Sequence, residues 1–186
     1  MTGWGLRQMN AQSFGSIKQI AYLVEDLDSS LANWSRYSGI GPWTIYKNVT
    51  LVGWCRGHDT TVTIDVGLSY QDEVQIEIIQ VRSKTISPYQ HADGRTMVGM
   101  HHMAWMTQNF DSDVAKAKSR GLTLCFTASN PASQVAYFES PSEPGILFEF
   151  IQVNPMIQDA FDQGVAASRA WDGGEHILQV IDFAAV

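Results

Sequence analysis

Four polar residues stand inside otherwise apolar, strand-like runs: Gln19 in QIAYL, Glu77 in EVQIEIIQV, His102 in GMHHMAW and Glu149 in GILFEFIQV. Side chains two apart on a strand share a face. Gln19 therefore faces the way of Ala21 and Leu23, Glu77 of Gln75 and Ile79, His102 of Ala104 and Met106, and Glu149 of Leu147 and Ile151. A carboxylate on such a face is costly to bury unless it is paired or bound to a cation. Taken singly, each residue also fits an exposed strand position or a satisfied core polar group. Their recurrence at matching places in two halves of the chain favours convergence on one point. Two carboxylates, an amide oxygen and an imidazole suit a five- or six-coordinate divalent ion: Zn, Ni, Co, Mn or Fe. Without a thiolate the set is not a structural zinc cage.

The elements that must position these residues repeat. QIAYLVEDLD (19–28) aligns without gaps on HMAWMTQNFD (102–111), and EIIQV (77–81) on EFIQV (149–153). Each half reads strand, helix, three strands. In the first half a strand over about 17–24 leads to a helix capped by Asp28 and running to about Ser38. A turn at Gly39, Gly41 and Pro42 follows, then strands near 43–50, in TTVTIDVGLSY and in EVQIEIIQV. In the second half GMHHMAWMT is a strand, Asp111 caps a helix that closes at Gly121, and LTLCFTA, QVAYFES and GILFEFIQV are strands. Pro155 opens an amphipathic helix over 155–170. The predicted organisation is an N-terminal arm (1–15), a first module (16–82), a linker with room for one helical turn (83–98), a second module (99–153) and a C-terminal helical tail (154–186).

Composition narrows the function. The chain has 186 residues, 45% of them hydrophobic and 17% charged, the balance of a globular protein rather than a disordered one. A net charge of −7 argues against nucleic acid as a partner. No apolar run is long enough to span a bilayer, so no membrane association is predicted. Two cysteines make no disulfide framework and the N-terminus lacks a continuous apolar stretch, so a cytoplasmic setting is expected.

These residues resemble the vicinal-oxygen-chelate superfamily, the glyoxalase/bleomycin-resistance/dioxygenase fold, over about residues 16–153. The resemblance implies an α+β protein. Two paired βαβββ modules would form a curved, eight-stranded sheet around a metal site, here with a C-terminal helix added. GMHHMAW with Asp111 looks like methylmalonyl-CoA epimerases, and QIAYLVEDLD with GIGPW like the glyoxalase-like branch. Carried over by position, the metal ligands would be Gln19, Glu77, His102 and Glu149, a set similar to that of some glyoxalase I enzymes.

The implied activity is that of a metal-dependent isomerase, epimerase or lyase. A carbonyl or acyl-thioester substrate, chelated through two adjacent oxygens, would lose its α proton through an enediolate. Glu149 is the expected base and Glu77 the second candidate. The alternatives are a metal-free protein that binds a small aromatic or drug-like molecule, and an iron extradiol-type dioxygenase. Trp43, Trp54 and Tyr137 are expected to wall the pocket. His101 is expected to point to the opposite sheet face from His102 and to be a second-sphere or structural residue. A homodimer is predicted.

Overall fold

Alternation of buried and half-buried residues sets the first strand. In β1 (Gln19–Leu23) the side chains of Gln19, Ala21 and Leu23 are buried, while Ile20 and Tyr22 face the other way and are half-buried. The computed structural model describes residues 13–185 apart from residue 92, so most of the expected N-terminal arm lies outside the described residues. After β1 come α1 (Leu27–Ser38), β2 (Trp43–Cys55), β3 (His58–Gln71) and β4 (Val74–Val81). The order then repeats as β5 (Gly99–Thr107), α2 (Phe110–Ser119), β6 (Thr123–Ser129), β7 (Gln134–Ser140) and β8 (Glu143–Gln152). Two βαβββ units are thus present, followed by α3 (Pro155–Ala170) and β9 (Ile177–Asp182). Among the described residues no helix is long and apolar enough to cross a membrane.

The strand order is β3-β4-β1-β5-β8-β7-β6-β2-β9, and β2 also pairs with β3. That last pairing closes eight strands into a ring, with β9 added in parallel to the start of β2. The sheet is mixed. β1 runs parallel to β4, and β5 parallel to β8, while β1 and β5 meet antiparallel at the junction of the two units. The fold is therefore α+β, as expected, with closure of the sheet and the ninth strand as additions. β2 runs five residues beyond the expected 43–50, carrying the hairpin with β3 to Cys55.

Inside the ring lie Ala21, Leu23, Val62, Ile64, Val66, Ile79, Tyr89, Phe126 and Tyr137. Outside it, α1 covers Trp43, Ile45, Ile76 and Ile78, and α2 covers Ala136, Phe138 and Phe150. Each fully buried large side chain contributes roughly 1.5–3 kcal/mol. Gly67 lets α1 come down on β3, since a Cβ there would stand 2.6 Å from Leu31 Cδ2.

The caps differ by a residue or two from expectation. Asp26, not Asp28, caps α1: its carboxylate accepts from the Ser29 N–H at 2.7 Å. The helix therefore starts two residues earlier than expected, which brings Leu27 into the buried face with Leu31. At α2 the N-cap is Asn109 rather than Asp111; Thr107 ties the turn by accepting from the Asn109 N–H and donating to Asp113. The segment over 83–98 holds no helical turn among its described residues. It carries a Gln90–Thr96 bridge and sets Tyr89 in the core.

Helix α3 matches the expected 155–170, capped by Asn154 with Pro155 in its first turn. Its Phe161 and Val165 pack on Tyr70 of β3. Gly164 is required there: a Cβ would stand 2.1 Å from Tyr70 Cε2.

Candidate active site

Gln19, Glu77, His102 and Glu149 come from four adjacent strands, β1, β4, β5 and β8. Two cross-strand rows place them. In one, Ala21 pairs with Glu77 on one side and His102 on the other. In the next, Ala104 pairs with Gln19 on one side and Glu149 on the other. Directly opposite residues on neighbouring strands are about 4.5–5.5 Å apart at Cβ. The fully buried alanines leave the space into which the longer side chains lean.

They lean onto one atom. His102 Nε2 lies 2.9 Å from Glu149 Oε2, 3.2 Å from Glu77 Oε2 and 3.1 Å from Gln19 Oε1. His102, Gln19 and Glu149 are buried, and the Glu77 side chain is 13% exposed. Gln19 turns its oxygen inward because its amide nitrogen donates to Gln75 Oε1 at 2.8 Å. Gln75 in turn donates to the Tyr70 hydroxyl at 2.7 Å, which links the centre to the seat of α3.

Burial by itself would lower the basicity of His102. The carboxylates of Glu149 and Glu77 outweigh it and push the imidazole up to about 9. Glu77 is raised by burial, which its contact with His102 only partly offsets, and repulsion from Glu149 adds to the rise. Tyr137 is raised well above the ordinary phenol value, first by burial and then by Glu149.

His101 departs from expectation. The β1–β5 register slips between Ala21, opposite His102, and Tyr22, opposite Met100. His101 is the extra residue of a β-bulge, and a bulge re-aims its side chain. It is buried on the same side as His102: the two Nδ1 atoms are 2.8 Å apart, and His101 Nε2 is 3.0 Å from the Pro88 carbonyl oxygen. Burial and then the neighbouring His102 drive its basicity down to about 3.

Of the three expected wall residues, Tyr137 lies at the centre, its ring 5.0 Å from that of His102. Its hydroxyl is 3.3 Å from that of Tyr89, a residue the sequence reading assigned to a linker. Trp43 is buried beneath α1, where its indole N–H donates to Ser35 Oγ at 2.9 Å. Trp54 is half-buried and alternates with the inward-facing Cys55, so it stands on the outer face. Tyr89, Gln75 and Tyr70 are the neighbours of the centre that sequence reasoning missed. The apolar run around Gln75 was the available signal for that residue.

Whether the centre fits a metal can be tested on its hydrogen bonds. Among the described residues, no group of three or more His, Cys, Asp and Glu side chains has the form of a preformed metal cage. The oxygens instead touch the imidazole directly. Yet three acceptor oxygens face one nitrogen that carries at most one proton, so that proton cannot serve all three. Oxygen and imidazole donors with more acceptor oxygens than protons to share are of the types that suit a divalent cation.

The sequence profile of the Glyoxalase/Bleomycin resistance protein/Dioxygenase superfamily matches residues 18–137 of the 186. The match takes in Gln19, Glu77 and His102 and ends within β7, before Glu149. Among solved structures, a hypothetical protein from Bacillus halodurans superposes with a TM-score of 0.52 at 18% identity, over 75% of this chain and 94% of that one. Methylmalonyl-CoA epimerase from Mycobacterium tuberculosis superposes with a TM-score of 0.52 at 16% identity, over 82% and 98%. Both likenesses are of fold. No curated protein sequence matches the chain. With a family profile spanning most of both units and a fold shared with these structures, the chain belongs to the Glyoxalase/Bleomycin resistance protein/Dioxygenase superfamily.

Proposed function

We propose that the chain is a metal-dependent isomerase, epimerase or lyase that removes a proton α to a carbonyl. Gln19, Glu77, His102 and Glu149 hold the ion. The carrying observation is the convergence of three acceptor oxygens, from Gln19, Glu77 and Glu149, within 3.2 Å of the single His102 Nε2 in the sheet interior. A divalent cation bound there supplies Lewis acidity toward a carbonyl oxygen.

The chain's own residues do the rest. Glu149 accepts the α proton, and Glu77, from the strand on the far side of β1, stands ready to return one. Gln19, held by Gln75, orients without taking a proton. The Tyr89–Tyr137 hydroxyl pair provides neutral donors for a substrate oxygen. The apolar ring interior excludes water from the carbanion formed. A carbonyl or acyl-thioester substrate fits this set, and the epimerase named above shares the fold.

The test is elemental analysis and metal titration of the wild type beside Gln19→Ala, Glu77→Ala, His102→Ala and Glu149→Ala. One divalent ion per chain, weakened in each variant, is expected. Exchange of the α proton with deuterated solvent, assayed on acyl-CoA epimers and glutathione hemithioacetals, reads the activity. A wild type that takes up no ion under any loading condition overturns the proposal and leaves a binding protein of the same fold.

A further inference from the structure

We propose that His101 is a positioning residue. It fixes His102 in the tautomer whose proton sits on Nδ1 and whose Nε2 presents a lone pair to the oxygens of Gln19, Glu77 and Glu149. This assignment rests on the metal reading above for its purpose, though not for its geometry.

The direction of each hydrogen bond follows from what the end group can do. A proline carbonyl only accepts, so at 3.0 Å His101 Nε2 donates to Pro88. A neutral His101 then has a lone pair on Nδ1. Two Nδ1 atoms 2.8 Å apart hold one proton between them, and it belongs to His102. His102 thus donates from Nδ1 and, when neutral, has no proton left for Nε2. The opposite tautomer would set two lone pairs against each other across 2.8 Å in a buried site. With Nε2 bare, all three oxygens near it are acceptors facing a further lone pair, and the set is reconciled by a proton on Nε2, giving the imidazolium, or by a metal ion in its place. Metal-bound imidazoles are commonly oriented in this way, by a hydrogen bond from the other ring nitrogen.

The scaffold holds the relay in place. The bulge brings His101 to the inner side, and Tyr89, next to Pro88, packs its ring 5.0 Å from the His101 ring. Tyr89 is 1% exposed, so the carbonyl that anchors the relay is set by core packing rather than by a loose loop.

The experiment has two readouts on the whole chain. Long-range proton–nitrogen NMR of histidine-labelled protein reports the His102 tautomer in its neutral form, with and without Zn(II). Competition with a chromophoric chelator reports Co(II) affinity. Wild type is expected to show the proton on Nδ1. His101→Leu, which can neither accept nor donate, should lose that tautomer and weaken Co(II) binding by about 10–100-fold. His101→Gln, which keeps both an acceptor and a donor, should recover most of the affinity.

A proton on Nε2 of His102 in the neutral wild type overturns the inference, as does a folded His101→Leu with unchanged Co(II) affinity. Should His101→Leu fail to fold, His101→Phe makes the same removal in an aromatic shape, and the wild-type tautomer stands without either variant. If the wild type binds no divalent ion, the metal reading fails while the NMR spectrum still decides the relay.

Discussion

Ala21 and Ala104 hold equivalent places in the two halves of the site. Each is buried and each stands in register between two strands that carry a pair of inward polar groups, Glu77 and His102 for one, Gln19 and Glu149 for the other. The absence of a longer side chain at these two points is what allows four strands to bring their polar groups to one nitrogen. Ala21→Val and Ala104→Val should each lower stability by ~1–3 kcal/mol through overpacking. They should weaken divalent-ion binding more than a valine placed at another buried alanine such as Ala128. Thermal melts beside metal titrations check this, and equal losses at all three positions would remove any special role for the two alanines.

The acid–imidazole–acid arrangement gives the metal-free protein a defined pH response. His102 is raised to about 9 in the folded chain against an ordinary 6.5. Its contribution is complete below about 6.5 and lost as pH rises through about 9, at up to ~1.4 kcal/mol per pH unit. His101 acts on the other side. Held down to about 3, it stays neutral while the unfolded chain takes up a proton, so stability falls as pH drops below about 6.5. Glu77, raised by burial, partly offsets that acid loss. Melting temperature measured with a chelator present should therefore peak near pH 6.5 and decline toward pH 9. His102→Gln should remove the alkaline decline, and a flat wild-type profile over that window would contradict the assignment.

Much of this centre was legible because its signals are local. Period two put Gln19, Glu77, His102 and Glu149 on one face each, and the repeat related them in pairs. The structure adds the alanine spacing and the single nitrogen. What escaped depends on pairing between distant segments. A bulge exists only in the register of two strands, so His101 could not be re-aimed from the period of its own strand. Trp43 was expected at the pocket because it sits on a strand, but the docking of α1 decides which side of that strand is the outer core. Tyr89 sits in a polar stretch with a proline, and only the closed ring gives its ring a buried place. The closure itself rests on β2 reaching Cys55, past the expected end near residue 50, because residues 52–55 are the ones that pair with β6.

Glu149 and Glu77 are separable by chemistry. With Glu149 as the proposed base, Glu149→Gln keeps a donor oxygen for an ion but no proton acceptor, so metal content should persist while α-proton exchange falls by at least a hundredfold. Glu77→Gln should reduce the return of the proton, seen as a change in the ratio of deuterium exchange to net conversion. The measurement is exchange into a 2-substituted acyl thioester followed by mass spectrometry. Full exchange in Glu149→Gln would move the base to Glu77.

The contact between α3 and Tyr70 reaches the centre through two amides. Tyr70 accepts from Gln75, Gln75 accepts from Gln19, and that chain keeps the Gln19 oxygen toward His102. Gly164 sits against the Tyr70 ring with no room for a methyl group. Gly164→Ala should push the ring aside, cost ~1–3 kcal/mol by overpacking and free the Gln75 amide. Tyr70→Phe keeps the ring and removes only the acceptor, so its stability loss should be about 1 kcal/mol. If the amide chain sets Gln19, both variants should weaken ion binding, and Gln75→Leu should match them. If α3 matters only as a cover, Gly164→Ala should destabilise the protein while Tyr70→Phe and Gln75→Leu leave ion affinity unchanged.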